Sequence, residues 1–124
     1  MTYDAIIIGG GPAGLSAALV LGRARRRVLV CDAGHPRNSA ARELHGFLSR
    51  DGIAPGELLR LGRAEILRYG VAMRNNTVVG ARCLAPAERP EAAARFEATL
   101  DTQERVYCRK LLLATGVRDV LPAF

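Results

Sequence analysis

Residues 3–32 constrain this chain more than any other stretch. A short apolar run, residues 5–8, is rich in β-branched side chains and too short for a lone helix, so it reads as a buried parallel strand. It runs straight into Gly9-x-Gly11-x-x-Gly14. Beyond that the period changes, with Leu15, Ala18, Leu19 and Gly22 falling on one face of a helix. A second apolar run, residues 28–31, ends on Asp32. Strand, glycine turn, helix, strand and terminal acid make one βαβ unit.

Each part of the unit has a physical use. Gly9 permits the tight turn out of the strand, and Gly11 has no Cβ to hold a pyrophosphate away from the backbone. Gly14 lets helix and strand pack closely, so that the free N–H groups and partial positive charge of the helix N-terminus face phosphate. Asp32 follows Gly14 by 18 residues, near the spacing of about 20 expected of an acid that accepts hydrogen bonds from ribose hydroxyls. A glycine-rich turn in an ordinary βαβ unit is the plainer alternative. The agreement of all the parts favours dinucleotide binding.

The 124 residues allow one domain at most, and 49% hydrophobic with 24% charged residues is ordinary for a soluble globular chain. No apolar stretch is long enough to span a bilayer, and the N-terminus lacks the pattern of a signal peptide, so no membrane partner and a cytoplasmic location are expected. Cys31, Cys83 and Cys108 form neither a CxxC pair nor a metal-ligand spacing; they read as small buried strand residues. The net charge is +6, and Lys110 is the only lysine among 18 basic residues. The cluster Arg23, Arg25, Arg26 and Arg27 sits where the first helix ends, and cations there complement the helix dipole. No aromatic residues interleave with it, so no nucleic-acid partner is expected.

Further along, residues 33–38 form a turn-rich loop at the edge of the second strand, where Arg37 either reaches a phosphate or stays solvated. Residues 40–50 read as a short helix or irregular loop containing His45, a candidate base whose plainer reading is structural or exposed. Pro55 opens a helix over 55–69, closed by Gly70, with an apolar face that includes Leu58, Leu59, Leu61, Ile66, Leu67 and Tyr69. Residues 71–73 suit a third parallel strand. Three runs, 77–84, 96–100 and 105–108, suggest an antiparallel meander inserted between parallel strands, with a polar turn at 101–104 and a flexible loop at 85–94. Residues 110–114 read as a final buried parallel strand ending in Thr115-Gly116, where backbone can approach a ligand.

The run Tyr3-Asp4-Ala5-Ile6-Ile7-Ile8-Gly9-Gly10-Gly11-Pro12-Ala13-Gly14, with the later Leu112-Leu113-Ala114-Thr115-Gly116, closely resembles the two-dinucleotide-binding-domain flavoproteins. Within them it looks like the low-molecular-weight thioredoxin reductases. His35-Pro36-Arg37-Asn38 followed by His45-Gly46-Phe47-Leu48-Ser49-Arg50-Asp51-Gly52 resembles a branch that includes bacterial dithiol oxidases. The resemblance covers essentially the whole chain. It implies a Rossmann-like α/β FAD-binding domain with a parallel sheet and an inserted three-stranded meander. Carried over by position, Gly9, Gly11, Pro12, Ala13 and Gly14 would hold the FAD pyrophosphate and Asp32 the adenosine ribose. Arg37 and Asn38 would line the phosphate and ribityl side, and Val79 would lie where backbone meets adenine. Ala114, Thr115 and Gly116 would form the second flavin-side motif. His45 and Phe47 fall in the segment that approaches the isoalloxazine ring. Typical thioredoxin reductases carry Glu-Asn-Phe/Trp-Pro-Gly there; Gly46 in place of the Asn departs from that pattern.

The resemblance also implies an oxidoreductase that moves electrons between NADPH, FAD and a disulfide or dithiol. These residues include neither the family's second GxGxxG for NADPH nor its CxxC pair, so NADPH is expected only for the complete enzyme, and no catalytic residue is assigned. The expectation is a domain incomplete relative to the family: a fragment, a truncated product or half of a split enzyme. A non-catalytic FAD- or nucleotide-binding module is the alternative, and a single-domain NAD-dependent dehydrogenase fits the flavoprotein motifs less well. Exposed strand edges and apolar surface would favour a homodimer, a complementary chain or poor solubility.

Overall fold

In the computed structural model, which describes residues 1–34, 45 and 48–116, strands β1 (Thr2–Ile8), β2 (Val28–Cys31), β3 (Ala72–Arg74), β4 (Val78–Cys83), β5 (Phe96–Leu100) and β6 (Arg105–Leu113) join two helices, α1 (Pro12–Arg23) and α2 (Pro55–Leu67). They form one six-stranded sheet in the order β3-β2-β1-β6-β5-β4. β1 pairs in parallel with β2 and with β6, and β2 with β3, whereas β5 is antiparallel to both β4 and β6.

Residues 5–7 of β1 and the whole of β2 are apolar and buried because both their faces are covered. Ile7, Val28 and Val30 face the helices, packing with Leu15 and Ala18 of α1 and Leu59 and Ile66 of α2. Ile6, Leu29 and Cys31 face the other way, into a cluster with Ala98, Leu100, Val106 and Cys108 from β5 and β6. The sheet must curl for that second cluster to close. Arg74, at the end of β3, donates through Nη1 to Glu104 Oε2 at 2.7 Å, although the strand order sets β3 three strands from β6.

Both helices end in the same way. Gly70 (φ +75°) donates to the Leu67 carbonyl and Val71 to that of Ile66; at the end of α1, Arg25 (φ +60°) donates to Gly22 and Arg26 to Leu21. This is the paired hydrogen bonding of a Schellman closure, with glycine in the left-handed position in one case and arginine in the other. The arginine cluster after α1 is exposed, at the opposite end of that helix from the glycine turn.

Four expectations need correction. The third meander strand and the final parallel strand are a single strand, β6: its residues from Arg105 to Cys108 pair with β5, and those from Tyr107 to Leu113 run beside β1. The meander is therefore continuous with the parallel sheet. The helix begun by Pro55 stops at Leu67, and Leu67 and Tyr69 point to solvent; its buried stripe is Pro55, Leu59 and Ile66. Residues 85–94 contain a 3₁₀ turn, Pro86–Glu88, and a fully buried Ala94. Cys83 is exposed on β4, whereas Cys31 and Cys108 are buried. No helix among the described residues is long and apolar enough to cross a membrane.

Candidate functional site

Four neighbouring strands are tied together at one end of the sheet. The residue after β1, β2 or β6 is hydrogen-bonded in each case to the last residue of an adjacent strand. Gly9 N–H donates to the Cys31 carbonyl (2.8 Å), Ala114 N–H to Ile8 (2.8 Å) and Asp32 N–H to Arg74 (2.9 Å). The chain leaves β1 for β2 on one side and has β6 on the other, so the crevice outside these strand ends lies where ligands bind in open α/β sheets. A cleft of about 310 Å³ opens there. Its floor is residues 8–13, one wall is Cys31, Asp32 and Ala33, another is Ala114, Thr115 and Gly116, and Pro55, Leu59, Asn76, Thr77 and Val78 complete it.

The glycines divide into those the fold needs and one it does not. Gly9 has φ +118°, and a Cβ there would stand 2.0 Å from the Ala114 carbonyl oxygen. A Cβ on Gly14 would lie equally close to the Gly9 oxygen, and one on Gly10 would reach 2.7 Å from Asp32 Cγ. At Gly11 a Cβ would meet nothing within 4 Å. Packing therefore explains Gly9, Gly10 and Gly14, while the space beside Gly11 is open on the cleft.

Gly11 is also the N-cap of α1. No side chain caps that end, Pro12 opens the helix and the first turn has no acidic residue. The amides of Ala13 and Gly14 precede the first intrahelical hydrogen bond, from Leu15 N–H to the Gly11 carbonyl. An uncapped helix start beside an unfilled glycine suits an anion, and a pyrophosphate in particular.

Asp32 lines the same cleft against Gly10, with its side chain 12% exposed. Its Oδ1 accepts from Gly34 N–H (3.2 Å) and its Oδ2 from Arg63 Nη2 (2.8 Å). The wall at 76–78 is held from outside: Asp101 accepts from Asn76 Nδ2 (2.9 Å) and from Thr77 N–H (3.3 Å). The Asn76 amide is the main cause that lowers the Asp101 carboxyl below its usual value. Burial pushes the Cys31 thiol up to about 11, partly offset by Arg74. That thiol borders the cleft as a neutral apolar group and not as a nucleophile.

Gly9, Gly11, Pro12, Ala13, Asp32, Ala114, Thr115 and Gly116 thus share one cleft, with Gly14 packed beneath it. Val79 is not in the lining. A β-bulge between Val78 and Gly80 turns it out to 57% exposure and leaves Val78, with Asn76 and Thr77, as the wall. His45 is also outside the lining; its Nδ1 lies 3.4 Å from Asp51 Oδ1. Arg37, Asn38 and Phe47 fall outside the described residues. Sequence reasoning placed the adenine contact within residues 75–82, at Val79 and not at the 76–78 wall, and missed Gly10 and Arg63. The middle glycine of the Gly9-Gly10-Gly11 run was itself the signal for Gly10, and Gly80 inside a strand was a signal for the bulge; Arg63 gave none.

Fold and site together define a dinucleotide-binding α/β domain. The chain belongs to the pyridine nucleotide-disulphide oxidoreductase family, whose model matches residues 3–124. It is 41% identical over 120 residues to "Probable thioredoxin reductase" of Arthroderma benhamiae, covering 97% of this chain and 30% of that protein. It is 40% identical to "Thioredoxin reductase tcpT" of Claviceps purpurea, with 95% and 36% covered. Among solved structures, HlmI superposes with a TM-score of 0.87 at 43% identity, over 98% of this chain and 37% of that one. An oxidoreductase from Agrobacterium tumefaciens gives 0.86 at 43% identity, over 98% and 39%. The chain spans about a third of the length of the curated relatives it matches. Thioredoxin reductases of this family use FAD and NADPH.

Proposed function

We propose that this chain holds the ADP half of FAD in the cleft at the ends of β1, β2 and β6, as the FAD-binding part of a thioredoxin-reductase-like flavoprotein. The observation that carries the reading is the pairing of the uncapped start of α1, beside the open face of Gly11, with the carboxylate of Asp32 in the same cleft. Backbone N–H groups at 13 and 14 take the pyrophosphate, Asp32 the adenosine ribose, and the 76–78 backbone the adenine. Ala114, Thr115 and Gly116 close the flavin side. The flavin supplies the electron chemistry when bound, and these residues bind it, orient it and exclude water.

For the whole protein we propose electron transfer between NADPH and a disulfide or dithiol in the cytoplasm. The NADPH site and the redox pair come from parts outside these residues, through a longer chain, a complementary chain or a homodimer. Among the described residues the β6 edge beyond Cys108 is unpaired and Leu112 and Leu113 are exposed, which favours such a partner over a free-standing module.

The test is the visible spectrum of the purified chain after incubation with FAD, with the released cofactor identified on denaturation. A flavin spectrum at one equivalent per chain supports the reading. A folded, colourless protein that takes up no FAD overturns it as a property of this chain.

A further inference from the structure

We propose that Arg63 is a positioning residue that fixes the Asp32 carboxylate for a ribose 2′,3′-diol, and that it thereby sets the preference of the cleft for ribonucleotides. This rests on the reading of the cleft as an adenosine site.

Arg63 breaks the pattern of its own helix. The buried stripe of α2 runs through Leu59 and Ile66, and Arg63 occupies the position between them, four residues after Leu59, where the period calls for an apolar side chain. Close approach is already provided next door: a Cβ on Gly62 would come within 3.0 Å of Leu15 Cδ1. Arg63 instead reaches across to β2, donating through Nη2 to Asp32 Oδ2 at 2.8 Å. Its Nε is buried with no hydrogen-bond partner. The side chain is 41% exposed at the edge of the buried stripe, yet its Nε is buried unsatisfied, and local rules are broken in this way at functional positions.

The restraint on Asp32 has three parts. The carboxylate lies against Gly10, with Oδ2 2.9 Å from where a Cβ would stand. Gly34 N–H holds Oδ1, and Arg63 holds Oδ2. An ionised carboxylate offers about four lone-pair directions. With one used on each oxygen, one remains on each, which matches the two donors of a vicinal diol. Arg63 fixes the plane of that acceptor pair.

The test compares ADP with 2′-deoxy-ADP by calorimetry on the full chain, alongside FAD uptake. The wild type should prefer ADP by about tenfold, the worth of a hydrogen bond to a charged group. Arg63→Met should lose about five- to tenfold in ADP affinity and leave 2′-deoxy-ADP within about twofold, erasing the preference. Arg63→Lys, which keeps the charge but not the planar fork, should retain part of it and also serves if the Met variant does not fold. Equal losses for both ligands would show a purely structural arginine, and no loss would show an idle one; either overturns the proposal. Tighter binding of adenosine 2′,5′-bisphosphate than of ADP, lost in Arg63→Met, would assign Arg63 to a phosphate instead and overturn it too. A wild type that binds neither ADP nor FAD refutes the cofactor reading itself, and this proposal with it.

Discussion

Gly9 and Gly11 lie two residues apart in one loop, and the structure gives them opposite jobs. Replacing Gly9 with alanine forces a side chain onto a backbone at φ +118° and drives a Cβ to within 2.0 Å of the Ala114 carbonyl oxygen. The conformational strain is worth about 1–3 kcal/mol. Pushing apart two backbone segments held by the β1–β6 ladder adds about 1–3 kcal/mol more. The total is about 4 kcal/mol, and with a urea dependence of about 2 kcal/mol/M the unfolding midpoint falls by about 2 M. Alanine at Gly11 meets nothing and needs no unusual φ, so stability should stay within about 1 kcal/mol of the wild type. Its methyl group projects into the space assigned to pyrophosphate, so ADP and FAD affinity should fall tenfold or more by an order-of-magnitude contact argument. Urea unfolding followed by far-UV circular dichroism, with ligand titration of both variants, reads the two effects separately. A Gly9→Ala midpoint within about 0.3 M of the wild type would refute the close approach at Ala114. Unchanged ADP binding by Gly11→Ala would refute the placement of the phosphates.

Three further outcomes are expected from the geometry. Arg25→Gly should raise stability by about 0.5–1 kcal/mol, because Arg25 holds the left-handed position that glycine fills after α2; an unchanged or lower thermal midpoint would count against the strain. Glu97 is 8% exposed and accepts from Arg82 Nε at 3.1 Å, so Arg82→Met should lower the thermal midpoint by leaving that carboxylate unpaired, and adding Glu97→Leu should recover most of the loss. Independent, additive losses would refute the coupling. Cys83 should react with a thiol reagent at pH 8 in the folded protein, while Cys31 and Cys108, both raised by burial to about 11, react only on unfolding. Because the unfolded thiols ionise near 9.0 and the folded ones near 11, the folded state binds more protons in that window. Stability therefore declines as pH rises from 9 towards 11, and the decline should be shallower in Cys108→Ala. A pH slope unchanged by that substitution would refute the assignment.

What could be read from the sequence was what the chain writes locally. The βαβ unit was legible because Gly9-x-Gly11-x-x-Gly14 and the change from strand to helix period lie within one short segment, and β2 begins and ends at the predicted residues. β6 was not, because one strand changes neighbours along its length. It starts against β5, lies between β1 and β5 at Tyr107 and Cys108, and runs beyond them beside β1 alone, so Arg109 and Lys110 look like a break between two strands. The outward turn of the Val79 side chain was not legible, because it rests on a bulge between Val78 and Gly80. Leu67 and Tyr69 are apolar enough to suggest burial, but the sheet offers nothing on that side of α2. Arg63 meets Asp32 only through the tertiary packing of α2, a contact no local pattern encodes.

The contact between Gly9 and Ala114 also sets a timetable. The glycine loop is synthesised well before its wall, which lies more than one hundred residues later. At about 5–20 residues per second, the ribosome leaves the loop without that wall for several seconds or more. β1 meanwhile has only β2 for a neighbour, and its other edge waits for β6. Closing so long a loop is an entropic cost met before the ladder repays it, which makes the β1–β6 ladder a late event in folding. A nucleotide that needs both walls can bind only the finished sheet, so it acts on the chain as a lock on the completed fold and not as a template for its assembly.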